Sequence, residues 1–345
     1  MMKLFYECNF FREAFVEQLN FDVFQQEIRL QNLMPNNKAK FKKFNVKYSC
    51  AWSKQKSFNP DKPAVIIPTK NQEKMMKFTC KNLISNKIPD ICNVIIVDDR
   101  STQNIKKIAM QNNFSYLRID NEKGFNFSML NNIPAKLCSA LGVEQIVLWN
   151  SDLWCADGEK FAKLLEIHNS DNSVVSGTKL LYPPETMFAG ETTPVNILSN
   201  FPSMANKTWR ETVQFGGDAW VHTSKVSPIN YSPIHFKRFA AKNNSFVNCN
   251  RGSSFLTGAL QLWDLKTFLK IGGLNPSLSK NFQDVDICLK VLEANKCPMY
   301  YGKDLYFYHD ESPTMNKEGK NDIQMTSDHH LFGKIWNDKI TSLVF

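Results

Sequence analysis

Gln145-Ile146-Val147-Leu148-Trp149-Asn150-Ser151-Asp152 is an apolar run that stops on a polar step. Its first five residues have the length and apolar character of a short buried strand. Polar residues at the C-terminal end of such a strand stand where open α/β sheets place their ligands. The Asp152 carboxylate has the chemistry to take a divalent cation there, and a cation can hold a pyrophosphate. A polar turn capping a strand uses the same residues, so the meaning of this step depends on its surroundings.

Upstream, Ala64-Val65-Ile66-Ile67 is a β-branched run ended by Pro68-Thr69-Lys70-Asn71, and Glu73 to Asn86 has the spacing of an amphipathic helix. Val94 to Val97 is the next buried strand, ended by Asp98-Asp99-Arg100-Ser101-Thr102, with Asn104 to Gln111 helical after it. Tyr116 to Ile119 forms a third strand, and Phe127 to Leu141 a helix that Pro134 breaks or kinks. Downstream, Gly158 to His168 is a helix with Phe161, Leu164 and Leu165 on one face. Strand and helix thus alternate four times, the pattern of a parallel sheet covered on both faces. No Gly-x-Gly-x-x-Gly follows the first strand and no Walker sequence is present, which argues against dinucleotide and P-loop sites.

The flanks read differently. Phe10 to Leu33 has helix-like apolar spacing, and Lys38 to Lys56 carries seven lysines with interleaved aromatics and no acid. This basic stretch is either a solvated connector whose aromatics pack on the main domain or a surface for an anionic acceptor or membrane. Residues 178 to 250 are rich in Pro, Asn and Ser, as loops and short strands are, and Gly216-Gly217-Asp218 marks a tight turn. No acid stands between Asp218 and Asp264, whereas Lys225, Lys237, Arg238, Lys242 and Arg251 are basic, with Tyr231, Phe236, Phe239 and Phe246 among them. In the last third, Thr257-Gly258-Ala259 leads into Leu260 to Leu265, and Gly272-Gly273 follows. Gln283-Asp284-Val285-Asp286 opens a helix through Ala294, and Tyr306-Phe307-Tyr308-His309 is a strand ending in a histidine.

The formal charge of +9 favours anionic partners such as nucleotides, lipid phosphates or nucleic acid. The nine cysteines are odd in number and never form Cys-x-x-Cys, so neither a disulfide framework nor a zinc site is indicated. They read as reduced, buried residues of a cytoplasmic protein, in a host cytoplasm if the source is viral. Met1 to Phe15 lacks the layout of a secretory signal, and no apolar run approaches the roughly 20 residues that cross a bilayer.

In this order, the motifs Val-Ile-Ile-Pro-Thr-Lys-Asn, Ile-Ile-Val-Asp-Asp-Arg-Ser-Thr, Asn-Ser-Asp, Thr-Gly-Ala, Gly-Gly, Gln-Asp-Val-Asp and Tyr-His resemble the GT-A fold glycosyltransferases of family 2, particularly rhamnosyltransferase-like members. The similarity runs from about Ala64 to about Trp336. It implies an α/β GT-A fold with a Rossmann-like, mostly parallel nucleotide-binding half (61–177) and an acceptor-binding, catalytic-base half (178–345). Residues 1–60 then form an N-terminal extension, helical and then basic. The resemblance also implies roles at matching positions. Pro68, Thr69 and Lys70 line the nucleoside pocket, Asp98 accepts a hydrogen bond from the base, and Asp99 sits near the ribose. Asn150, Ser151 and Gly258 also face the nucleotide sugar. Asp152 ligates Mn²⁺ or Mg²⁺, with His309 completing the metal or pyrophosphate shell. Asp284 is the general base, and Gln283 stands where the family usually has Glu, so the base is kept while a neighbouring charge is lost. Gln283 and Asp286, with the basic residues Lys40, Lys42, Lys43, Lys237 and Arg238, are candidates for holding the acceptor.

The activity so implied is metal-dependent, inverting sugar transfer from a nucleotide-diphosphate sugar to a hydroxyl of a glycan or lipid-linked saccharide. Such a reaction needs a base for the attacking hydroxyl and a cation for the departing diphosphate, which one carboxylate each can supply. Two alternatives stand beside it. A hydroxymethylated base of bacteriophage DNA would suit the two basic, aromatic stretches. A catalytically silent nucleotide-sugar-binding protein would keep the fold, but the intact Asp152 and Asp284 argue against it. Peripheral membrane contact is open, and the sugar, the nucleotide base and the oligomeric state are not fixed by the sequence.

Overall fold

The structure is a computed structural model that describes residues 39–43, 46–55, 57–121, 124–184, 187, 209–223, 227–278, 280–310 and 323–345. The helix expected over Phe10 to Leu33 lies outside the described residues. A hairpin of β1 (Ala39–Lys43) and β2 (Val46–Ser53) comes first. The alternating part follows as β3 (Ala64–Thr69), α1 (Glu73–Ser85), α2 (Ile88–Ile91), β4 (Asn93–Asp99), α3 (Ile105–Gln111), β5 (Ser115–Asn121) and α4 (Phe127–Ala140). It continues through β6 (Gln145–Trp149), β7 (Leu153–Cys155), α5 (Gly158–Ser170) and β8 (Val175–Leu181). Then come β9 (Val213–Phe215), β10 (Asp218–His222), β11 (Tyr231–His235), β12 (Asn250–Gly252), β13 (Leu260–Asp264) and α6 (Leu265–Lys270). The chain closes with α7 (Gln283–Glu293), β14 (Met299–His309), α8 (Ile323–Trp336) and α9 (Ile340–Val344).

One mixed sheet carries the molecule, in the order β1-β2-β5-β4-β3-β6-β13-β8-β14-β12, with β7 on β14 and β9 on β8. Its centre, β5-β4-β3-β6, is parallel. Every residue of β3 and β4 is buried, which is why these strands read as continuous apolar runs without alternation. Each Val or Ile fully buried there stabilises by ~1.5–3 kcal/mol. Antiparallel β13 sits between β6 and β8, and so joins the regular half to the half that bears α7. Hairpin β10–β11 forms a small sheet of its own.

Two local expectations are corrected. Pro134 does not break α4, which runs through it from Phe127 to Ala140. The helix is buried almost all round against β3, β4, β6 and α6, and that packing outweighs the ~3 kcal/mol cost of an internal proline. The basic stretch before Ala64 is not merely a connector. Residues Val46–Ser53 form a strand of the main sheet, pairing Cys50 with Ile119 and Trp52 with Leu117. Cys50 and Trp52 are buried, so the one aromatic of this stretch whose side chain is described packs inward. The described cysteines are free thiols, and six of these eight are buried. Among the described residues no helix is long and apolar enough to cross a membrane.

Candidate active site

Because β3, β4 and β6 are parallel, Thr69, Asp99 and Trp149 end at one edge of the sheet. The loops leaving β3 and β4 are stitched together there. The Asn71 N–H donates to Ser101 Oγ at 2.8 Å, and Asn71 Oδ1 accepts from the Thr102 N–H at 2.8 Å. Asn71 sits at φ 51°, a left-handed conformation that asparagine tolerates better than most residues. Asp98 is buried and fully engaged: it accepts from the Ser101 N–H at 2.9 Å, the Tyr116 hydroxyl at 2.6 Å and Arg118 Nη1 at 3.3 Å. Burial and the Asp98 carboxylate push the Tyr116 phenol up. Asp99, also buried, pairs with Arg100 Nε at 2.9 Å and Lys70 Nζ at 3.3 Å. Such cations make burial of two adjacent carboxylates tolerable. Thr69 Oγ1 is buried at the end of β3 with no hydrogen-bond partner among the described residues.

The strand β6 ends in a turn held from several sides. The Trp149 indole donates to the Leu153 carbonyl at 2.9 Å, the Asn150 N–H to Ala259 at 3.0 Å, and Ser151 Oγ to Gln72 Oε1 at 2.6 Å. From α1, Thr79 Oγ1 donates to the Ser151 carbonyl at 2.6 Å. The chain then enters β7, which pairs antiparallel with the last residues of β14, Leu153 opposite His309. That register brings together two residues 157 positions apart in sequence: Asp152 Oδ1 and His309 Nε2 are 3.3 Å apart, both buried. The Asp310 N–H donates to the Asp152 carbonyl at 3.0 Å and fixes the junction. Carboxylate oxygen and imidazole nitrogen are both ligands that Mn²⁺ accepts. Among the described residues no group of three or more His, Cys, Asp or Glu surrounds a common point.

Asp284 lies at the start of α7, after Phe282 at φ 64°. Its Oδ2 accepts from the Gly258 N–H at 2.8 Å, and its Oδ1 from the Val285 N–H at 2.9 Å. Burial of the carboxyl raises its proton affinity above the usual carboxylate range, and the backbone N–H bonds only partly offset this. A Cβ at Gly258 would stand 3.3 Å from Asp284 Cβ, so glycine is what lets the turn approach this closely. The turn Thr257-Gly258-Ala259 thus touches both ends of the site, bonding Asp284 through Gly258 and Asn150 through Ala259.

The other sequence-derived candidates fall elsewhere. Gln283 is buried beside Asp284. Asp286 is also buried, accepting from the Trp336 indole at 2.9 Å and pairing with Lys290 Nζ at 2.7 Å, so its carboxylate anchors α8 and α7. Lys237 lies over the rings of Phe236 and Phe246, while Arg238 bonds the Tyr182 hydroxyl and lies over the Tyr182 and Phe239 rings. Lys40, Lys42 and Lys43 are on β1, with side chains outside the described residues.

Sequence reasoning missed the polar edge of α4. Asn132 exchanges two hydrogen bonds with the backbone of Leu274, at 2.6 and 2.9 Å. Ser128 Oγ donates to the Asn275 and Leu278 carbonyls, and Asn126 Nδ2 to that of Pro276. Gly273, at φ 67°, leaves room for this: a Cβ there would stand 2.6 Å from Asn132 Oδ1. These bonds fix the segment that leads into Asp284. The signal in the sequence was a set of small polar residues inside an otherwise apolar helix.

A parallel nucleotide-type half, extended by an antiparallel strand into a half that supplies a buried carboxylate, is the architecture of the GT-A fold. Residues 64–228 match the family described as Glycosyl transferase family 2. No curated protein matches the chain. Among solved structures it is similar to GalNAc-T7 with UDP, GalNAc and Mn²⁺, at 14% identity and a TM-score of 0.50. That match covers 73% of this chain and 44% of the other, so the chain spans less than half of that structure. It is also similar to the mannosyltransferase PcManGT from Pyrobaculum calidifontis in complex with GDP-Man and Mn²⁺, at 11% identity, TM-score 0.44, covering 92% of this chain and 78% of that one. S. aureus TarS 1–349 is 15% identical, TM-score 0.46, covering 82% and 75%.

Proposed function

We propose that the chain transfers a sugar, with inversion, from a nucleoside-diphosphate sugar to a hydroxyl of a glycan or lipid-linked saccharide. The observation that carries this reading is the single turn 257–259, which bonds both the strand end preceding Asp152 and the carboxylate of Asp284. In it, Asp284 takes the proton of the acceptor hydroxyl as its oxygen bonds the anomeric carbon and the bond to the diphosphate breaks. Desolvation suits this carboxylate to the task, because a higher proton affinity makes it a stronger base near neutral pH. A divalent cation held by Asp152 and His309 would neutralise charge on the departing diphosphate. Pro68, Thr69 and Lys70, with Asp98 and Asp99, form the nucleoside side. Asp98 chiefly holds the loop that frames this side. The GalNAc-T7 structure, with its UDP and Mn²⁺, supports this donor class. Arg238 and Arg251 are bonded to Tyr182 and the Gly216 carbonyl, which weakens the case for the second basic stretch as a track for DNA phosphates.

The test is a panel of nucleoside diphosphates screened for thermal stabilisation with Mn²⁺ and with EDTA, followed by donor hydrolysis and transfer. At least one diphosphate is expected to raise the midpoint only with the metal present, and its sugar conjugate to be turned over. No metal-dependent stabilisation by any member of the panel, and no turnover, would overturn the reading.

A further inference from the structure

The turn between β11 and β12 presents Phe246 to solvent with 62% of its surface exposed. A single exposed phenylalanine is ordinary, but this one is held out by a rigid base. Val247 beside it is fully buried, and its carbonyl accepts from the Tyr300 hydroxyl at 2.8 Å. The Phe246 carbonyl accepts from Arg251 Nη1 at 3.1 Å. Beneath the turn, the buried Lys179 ammonium donates to the Lys242 carbonyl at 2.7 Å, Asn248 Oδ1 at 2.9 Å and the Gly302 carbonyl at 3.1 Å. The clamp sets both ends of the segment 242–248 against β14.

One lysine reaches the exposed ring, and further cations lie over neighbouring rings. Lys237 Nζ stands 5.0 Å from the Phe246 centroid, and Arg251 lies over Tyr300 at 4.6 Å. On the other side of the clamp, Lys160 and Lys242 flank the Tyr306 ring at 5.1 and 5.5 Å. Of the nearby acids, Glu211 pairs with Lys242 at 3.9 Å, Asp157 with Lys160 at 4.0 Å, and Asp304 accepts from Asn248 Nδ2 at 3.2 Å.

We propose that this surface docks on an anionic lipid bilayer, with Phe246 entering the headgroup region and Lys237 and Lys242 meeting lipid phosphates. An apolar wedge with long, snorkelling cations on the same surface matches an interface that is anionic above and apolar below. Each lysine near such a surface adds attraction to the anionic lipid, and salt screens it. A nucleic-acid track would favour cations aligned with stacking rings, whereas here the one fully presented ring projects from the tip of a turn. The inference is independent of the sugar-transfer reading.

Cosedimentation with vesicles of phosphatidylcholine alone, or mixed with phosphatidylglycerol, tests it. The full chain is expected to pellet with the mixed vesicles only, less so as NaCl rises. Phe246→Ser is expected to lower the bound fraction about tenfold while keeping its thermal midpoint and its stabilisation by nucleoside diphosphate. Lys237→Gln with Lys242→Gln is expected to abolish the preference for phosphatidylglycerol. Equal binding of Phe246→Ser and the parent chain, or no preference for the anionic vesicles, would overturn the proposal. So would duplex DNA binding that depends on the two lysines and ignores Phe246, which would assign the surface to nucleic acid. Loss of diphosphate stabilisation in the parent chain would strike the sugar-transfer reading alone.

Discussion

The two ends of the candidate site hold their carboxylates in opposite ways. At the nucleotide end, Asp98 and Asp99 are surrounded by Tyr116, Arg118, Arg100 and Lys70. At the other end, Asp284 is held by backbone N–H groups of Gly258 and Val285, and among the described residues no cation pairs with it. A carboxylate held by cations is a fixed strut. One held by amides in a desolvated place is still able to take a proton. Asp152 stands between these cases, set against a histidine instead of a lysine or arginine.

The sharpest way to break this contrast is Asp284→Asn. The amide keeps the shape but cannot accept the proton, so transfer is expected to fall by ~10²–10⁴-fold. Nucleoside-diphosphate affinity should stay within a few-fold of the parent chain. In the parent, kcat/KM should decline as pH falls through the raised pKa of Asp284, because protonation removes the base. An acid limb in the ordinary aspartate range, or transfer by the variant within a few-fold of the parent, would assign the proton to another group.

Asp152→Ala addresses the middle case. Mn²⁺-dependent binding of the nucleoside diphosphate is expected to weaken at least ~10-fold, or ~1.4 kcal/mol. The metal-free affinity and the thermal midpoint should change little. Unchanged affinity in the presence of Mn²⁺ would leave the Asp152–His309 pair as a structural contact between β7 and β14.

The same contrast explains what was legible. The nucleotide half was readable because parallel strands buried on both faces, such as β3 and β4, appear as unbroken apolar runs closed by polar steps. Asp152, His309 and Asp284 were singled out from ordered motifs, and the structure places the first two 3.3 Å apart. Strand β2 was hidden because lysines and aromatics gave its stretch the composition of a connector, while pairing with β5 depends on a distant partner. The engagement of Asp286 by Trp336, and the choice of Leu274 as the partner of Asn132, are contacts set by tertiary packing, whereas the pairing of Asp286 with Lys290 is a local i,i+4 contact on α7.

Asn132→Ala sharpens the comparison at the seam between the two halves. It strands the N–H and carbonyl of Leu274 in a buried place, at a cost of ~2–4 kcal/mol. Because Asn132 holds the segment leading to Asp284 and touches neither Asp98 nor Asp99, kcat is expected to drop more than diphosphate affinity. Equal loss of both, measured where the variant is fully folded, would mean that the two ends do not separate as described.

The smallest effect concerns Lys136, a buried cation on the same helix, α4, as Asn132. Burial lowers its pKa to about 6, from an ordinary value of 10.5. A depressed folded-state pKa means that the unfolded chain binds more protons between those two values, so this group's contribution to stability rises with pH across that window. Below about 6 the ammonium is charged in both states and its desolvation opposes folding in full. Lys136→Met keeps the length of the side chain and removes the charge, so the thermal midpoint should rise, by about 1–2 °C for each kcal/mol in a chain of 345 residues. The gain should be largest at or below pH 6 and should shrink as the pH is raised towards 9, because the parent then folds with a neutral amine. A gain that is the same at both ends of that range would show that Lys136 keeps its charge in the folded chain. The desolvation that distinguishes Asp284 from the cation-held carboxylates would then be weaker in this core than burial alone implies.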